Sequence, residues 1–162
     1  FVFVDQVAAE IIKPWVGRPR PTHDMLLIPY LETVNGYRGG HYGFVSNHAA
    51  NVFAFATFSS LLFKNRPYTI CLLLWACLVS FSRTYLAVHF PTDLLCGAAF
   101  GALSAWAFYW VYAKLTRVEH PDFQYNRFQY TKSLYKKQDI YILLIILATI
   151  LTSLLLAAYY IN

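Results

Sequence analysis

Charge is scarce in this chain. Of 162 residues only 13% are Asp, Glu, Lys or Arg, about half the share of an ordinary soluble domain. Polar low-complexity sequence is also missing, which excludes disorder and fibrous repeats. There are three cysteines, Cys71, Cys77 and Cys96, all inside apolar runs. Their odd number and spacing suit neither disulfides nor a metal set, and they read as small buried packing residues. No initiator methionine or signal peptide opens the chain. Residues 1–12 read as the last half of a helix, so upstream segments are expected. No internal repeat and no linker divides the sequence.

Apolar residues fill the space that charge leaves. The chain is 58% hydrophobic and 19% aromatic, more than one domain of this length can hide from water. The expected class is an all-α, multi-pass transmembrane helical bundle. A span takes about 20 mostly apolar residues to cross roughly 30 Å of hydrocarbon. Residues 46–63, 67–85, 92–113 and the uncharged 140–161 qualify, and 1–12 supply the end of a fifth, so about four to five spans are expected. The formal charge of +5 does not imply nucleic acid, because the basic residues sit in short segments between apolar runs. Residues 64–67 and 114–139 hold Lys64, Arg66, Lys114, Arg117, Arg127, Lys132, Lys136 and Lys137 against Glu119, Asp122 and Asp139. That excess places both segments on the cytoplasmic side and residues 13–45 and 86–91 on the other. Gly97, Gly101 and Ala105 form a small-residue stripe for close helix packing within the monomer.

Three polar clusters fall on the extracytoplasmic side: Lys13 to Pro21, Ser46-Asn47-His48, and Ser82 to Asp93. Ionisable groups at membrane depth are expensive, so their convergence points to function. Lys13, Arg20 and Arg83 suit a phosphate. Ser46 stands at the start of an apolar helix, where free N–H groups and the positive dipole end favour an anion. It also suits an ordinary N-cap. His48 and His89 offer a nucleophile and a proton donor. Asp93, four residues after His89, can accept the far ring N–H and fix the tautomer. Together these groups suit phosphoryl transfer through a phosphohistidine. A metal is disfavoured, since three nearby cations would repel a divalent ion.

Lys13-x6-Arg20-Pro21, Ser46-x-His48 and Ser82-Arg83-x5-His89-x3-Asp93 resemble the three signature motifs of the type 2 phosphatidic acid phosphatase family. The resemblance covers about residues 5–113. It implies a partial catalytic core over 1–115, a cytoplasmic loop over 116–139 and an additional span at 140–161, with N-terminal helices of a six-helix core missing. It implies that His89 takes the phosphoryl group, that Asp93 orients it, and that His48 protonates the leaving group. Lys13, Arg20, Ser46, Asn47 and Arg83 would hold the phosphate, with no cofactor and no metal. Asn47 departs from the usual Pro-Ser-Gly-His. It is expected to sustain a tight turn at positive φ, and its side chain to narrow the pocket or touch substrate. Arg18-Pro19 repeats the Arg-Pro pair two residues early, and Arg18 and Arg38 stand between membrane anchors and substrate contacts.

The resemblance makes the partners a phospholipid or polyprenyl phosphate and the bilayer. The stretches 5–13 and 43–48 look most similar to bacterial undecaprenyl diphosphate phosphatases, placing the chain in an inner membrane with its site on the extracytoplasmic face. Alternatives are a lipid A, phosphatidic acid or phosphatidylglycerophosphate phosphatase, or a lipid phosphotransferase. A non-catalytic protein that binds anionic lipid is a reading from another class, disfavoured because binding alone does not need His89 with Asp93. Vanadate-dependent haloperoxidases share the family's pocket but are soluble. His23 and His41 read as loop residues, Gly39–Gly43 as a flexible loop near the site entrance, and Asp5 as packed inward on polar partners.

Overall fold

A computed structural model describes residues 2–33, 36–116, 131 and 135–161. Among the described residues every extended element is helical, and an isolated antiparallel bridge pairs Pro19 with Tyr42. The elements are α1 (Val2–Gln6), a π turn (Val7–Ile12), α2 (Lys13–Val16), α3 (Asn47–Phe63), α4 (Arg66–Tyr85), α5 (Pro91–Leu115) and α6 (Lys137–Ile161). Single 3-10 turns at Pro21–His23 and Ile28–Tyr30 punctuate the long connection before α3.

Local chemistry explains the boundaries. The first helical stretch stops at Gly17, which takes the left-handed conformation (φ +63°) and returns its N–H to the Lys13 carbonyl. Ser46 and Asn65 cap α3 and α4 by accepting the N–H groups of Ala49 and Tyr68. Pro67 and Pro91 stand in the first turns of α4 and α5, where a missing N–H costs nothing.

The bundle centres on α3, which packs chiefly against α5 and then α4. The small-residue stripe makes the first contact possible. A Cβ on Gly97 would lie 2.6 Å from the Ser46 carbonyl oxygen, and one on Gly101 would collide with the Ala50 backbone. Gly97, Gly101 and Ala105 are buried, as expected for packing within the monomer. Val4 of α1 joins Ala50, Ala54 and Ala105 in one core cluster. Ala56, Tyr68, Leu72 and Ala76 form a second, which Ile140 of α6 completes.

Among the described residues two helices, Arg66–Tyr85 and Pro91–Leu115, are long and apolar enough to cross a membrane. The expected four to five spans are therefore matched in part. Helix α3 has 17 residues, at the lower end of the length that a span takes. The expected last span lies in the 25-residue α6. Arg117, Glu119, Asp122, Arg127 and Lys132 of the charged loop lie outside the described residues. One expectation is corrected. Cys71, Cys77 and Cys96 are free thiols on exposed helix faces, not buried packing residues. Position in an apolar run does not distinguish the inward face of a helix from the outward one when both are apolar.

Candidate functional site

The helix entering the site carries a π turn, and Lys13 closes it by donating its N–H to the Ala8 carbonyl. Such turns re-aim side chains and occur often at functional sites. Beyond Gly17 the chain is extended. Arg20 N–H donates to the His41 carbonyl at 3.2 Å, and Gly43 N–H to the Arg18 carbonyl at 2.9 Å. In an extended segment residues two apart share a face. Arg18 and Arg20 are two apart, and both guanidinium groups reach the turn between α4 and α5.

That turn holds His89. Helix α4 ends at Tyr85, and Ala87 adopts a left-handed conformation (φ +54°) that a side chain disfavours. Such strain is held at sites by surrounding structure. Val88 then offers its carbonyl to Arg20 Nη1 at 3.1 Å, and the same nitrogen lies 3.1 Å from His89 Nε2. A guanidinium has donors only, so Nε2 accepts and presents its lone pair. A neutral ring then carries its proton on Nδ1, which lies 3.7 Å from Asp93 Oδ2. That is an electrostatic contact, too long for a hydrogen bond, and Nδ1 has no hydrogen-bond partner among the described residues.

His89 is 3% exposed and Asp93 not at all. Asp93 sits in the first turn of α5, where its Oδ2 accepts the Phe90 N–H at 2.9 Å. The positive end of the helix favours its charge. Burial holds the His89 imidazole below its ordinary value, and the nearby Asp93 carboxylate opposes this without reversing it.

Ser46 ties the other half of the site to this one. Its N–H donates to the Asp93 carbonyl at 3.1 Å, and Gly97 makes room for its backbone. The starts of α3 and α5 therefore meet, and two positive dipole ends converge. The N–H groups of Asn47 and His48, in the first turn of α3, are beyond the reach of intrahelical bonding. His48 is exposed and lies within the electrostatic reach of Arg83, His89, Arg20 and Lys13. Among the described residues no group of three or more His, Cys, Asp or Glu side chains could hold a metal ion.

The structure brings the three sequence clusters near one another: Lys13 and Arg20, Ser46 and His48, Arg83, His89 and Asp93. One position differs from expectation. Asn47 is helical, so the tight turn at positive φ does not form there. Its amide donates to the backbone oxygen and Oδ1 of Asp5, at 3.3 and 2.9 Å, so it faces α1 and what it offers the pocket is its backbone N–H. Asn51 donates to the same Asp5 Oδ1 at 3.0 Å, which confirms the inward packing of Asp5. Arg18 donates from Nη1 to Thr92 Oγ1 at 2.8 Å and to Asp93 Oδ1 at 3.0 Å. Arg38 is exposed, and its carbonyl accepts from Thr22.

The Gly39–Gly43 segment, expected as a flexible loop near the site entrance, packs directly against site side chains. A Cβ on Gly39 would lie 3.2 Å from Arg20 Nη1, and one on Gly43 would lie 3.2 Å from Asp93 Oδ2. The glycine spacing was visible in sequence, but not what it covers. His41 of this segment meets His23 of the Pro21–His23 turn edge to face, with ring centroids 5.3 Å apart.

Comparison with known proteins gives the family. The chain is 43% identical over 115 residues to a lipid A 4'-phosphatase of Bacteroides thetaiotaomicron, covering 70% of this chain and 51% of that one. It is 43% identical over 108 residues to a lipid A 4'-phosphatase of Porphyromonas gingivalis, covering 67% and 46%. The chain spans about half the length of the curated relatives it matches. No solved structure matches it. The PAP2 superfamily profile matches residues 1–117, a stretch holding every residue of the site, and the chain belongs to that superfamily.

Proposed function

We propose that the chain is a lipid phosphatase working through a phosphohistidine at His89, with the phosphate of lipid A as its substrate. The observation that carries the mechanism is the pair of contacts on the His89 ring. Arg20 meets Nε2 and Asp93 faces Nδ1, so the nitrogen with the lone pair faces the cations. The two relatives are lipid A 4'-phosphatases by name, which favours lipid A over undecaprenyl diphosphate.

In the first step the Nε2 lone pair forms a bond to phosphorus. The bond from phosphorus to the lipid oxygen breaks, and that oxygen takes its electron pair and a proton from His48. In the second step water attacks phosphorus, His48 takes its proton, and the N–P bond returns its electrons to Nε2. Lys13, Arg20 and Arg83, with the N–H groups of Asn47 and His48, stabilise the charge on the phosphoryl oxygens. Ser46 caps α3 and holds those N–H groups in place. Asp93 stabilises the ring as it becomes positive. The site lies in an inner membrane, open to the extracytoplasmic face.

The test is phosphate release in detergent from lipid A, undecaprenyl diphosphate, phosphatidic acid and phosphatidylglycerophosphate, with EDTA present. Lipid A is expected to turn over fastest, and His89→Ala to lose both turnover and the acid-labile phosphoenzyme. Full activity in that variant would end the phosphohistidine reading. A faster rate on another lipid would replace the substrate.

A further inference from the structure

Asp93 is fully buried, and its two oxygens have different partners. Oδ2 accepts the Phe90 N–H and faces His89 Nδ1. Oδ1 accepts from Arg18 Nη1 at 3.0 Å. The same nitrogen donates to Thr92 Oγ1 at 2.8 Å, and the guanidinium lies 4.2 Å from the centre of the Phe90 ring. The Arg18 side chain is 37% exposed, but its backbone is pinned by Gly43.

A carboxylate torsion is broad and nearly two-fold, so either oxygen can swing toward a neighbour unless both are held. We infer that Arg18 is a positioning residue, which holds Asp93 by Oδ1 so that Oδ2 stays on His89 Nδ1 and the lone pair stays on Nε2. This goes beyond the phosphohistidine reading and rests on it for its catalytic consequence. The alternative use of Arg18, gripping a phosphate, draws on the two outer nitrogens as a fork. Here one of them is committed to two protein oxygens. Removing Arg18 would also leave a buried carboxylate without its cation, a costly state that reorganises.

The experiment uses the full chain in detergent, with lipid A as substrate and 15N-labelled histidine for ring spectra. Arg18→Gln is expected to lower kcat by about tenfold to a hundredfold, as small misplacements at a reacting group do, and to leave KM within about threefold. Arg18→Lys should recover most of the rate, because both hydrogen bonds leave one nitrogen and an ammonium has donors for both. Arg18→Gln with Asp93→Asn should be no slower than Asp93→Asn alone, since both act through one contact. The His89 ring should carry its proton on Nδ1 in the wild type and show mixed tautomers in Arg18→Gln.

A large rise in KM with kcat unchanged would make Arg18 a substrate contact and overturn the inference. Multiplied losses in the double variant, or an unchanged tautomer in Arg18→Gln, would overturn it as well. Should Arg18→Gln not fold, Arg18→Lys carries the same split: loss confined to kcat supports positioning, and loss confined to KM ends it. An active His89→Ala would remove the phosphohistidine reading instead. The ring spectra would still decide whether Arg18 sets the tautomer.

Discussion

At the residue scale, the protonation of His89 decides whether the proposed mechanism can run. In that mechanism His89 attacks through its lone pair, so the neutral ring is the competent form. Burial lowers its pKa, with Asp93 opposing, so neutrality persists below the ordinary histidine value of about 6.5. The acid limb of kcat/KM is expected to fall below that pH, read from a profile of phosphate release against pH. An acid limb above about pH 7 assigned to His89 would contradict the burial argument. The same shift affects folding. The folded state binds its proton less readily than the unfolded chain, so stability present above about pH 6.5 declines as pH falls toward the lowered value. The motif residues were legible one by one. What could not be read was the partner of each, such as Asp5 for Asn47 and Asp93 for Arg18, because those pairs are 42 and 75 positions apart.

At the element scale, the site depends on two helix starts meeting. Helix α5 reaches α3 through Gly97 and Gly101, where the partner backbone occupies the space of a side chain. A Cβ at Gly101 meets backbone, which cannot rotate aside as a side chain can. Gly101→Ala is therefore expected to destabilise by about 1–3 kcal/mol or more, the range for overpacking. It should also lower turnover, because Ser46 and Asp93 would part. Thermal unfolding in detergent, followed beside phosphate release, checks this, and an unchanged Tm would show that the helices tolerate separation. The spacing of Gly97, Gly101 and Ala105 announced a close contact, but not its partner. Any apolar helix with small residues in register would have satisfied the same pattern.

At the scale of the whole molecule, the outward faces of α4 and α5 are apolar. Leu74, Leu78 and Phe81 on one helix and Leu95, Leu103 and Trp106 on the other are each more than half exposed. Soluble monomers rarely show contiguous apolar patches of that kind, so these faces are expected to meet lipid. Leu103→Arg places a charge in the middle of α5, at a cost of about 2.5–3.5 kcal/mol on insertion scales. It should reduce the amount recovered in membranes, measured by alkaline carbonate extraction and blotting. A wild-type chain released by carbonate, or monodisperse without detergent, would sink the membrane reading.

Composition and hydropathy pattern by themselves determined the helical class and the expectation of lipid: with so little charge, the apolar helices are expected to face a surrounding other than water. Motif spacing singled out the candidate residues, because the proposed phosphoryl chemistry needs cations, a ring nitrogen and a carboxylate at workable offsets. Only the tertiary structure decided how they pair. The extended Arg18–Arg20 segment sends both guanidinium groups to the α4–α5 turn, one to the carboxylate and one to the ring. It also decided which faces of the helices turn outward, carrying Cys71, Cys77 and Cys96 with them. The physical reason is the same in both cases. Periodicity along one chain segment fixes which side chains share a face, whereas what that face meets depends on segments distant in sequence.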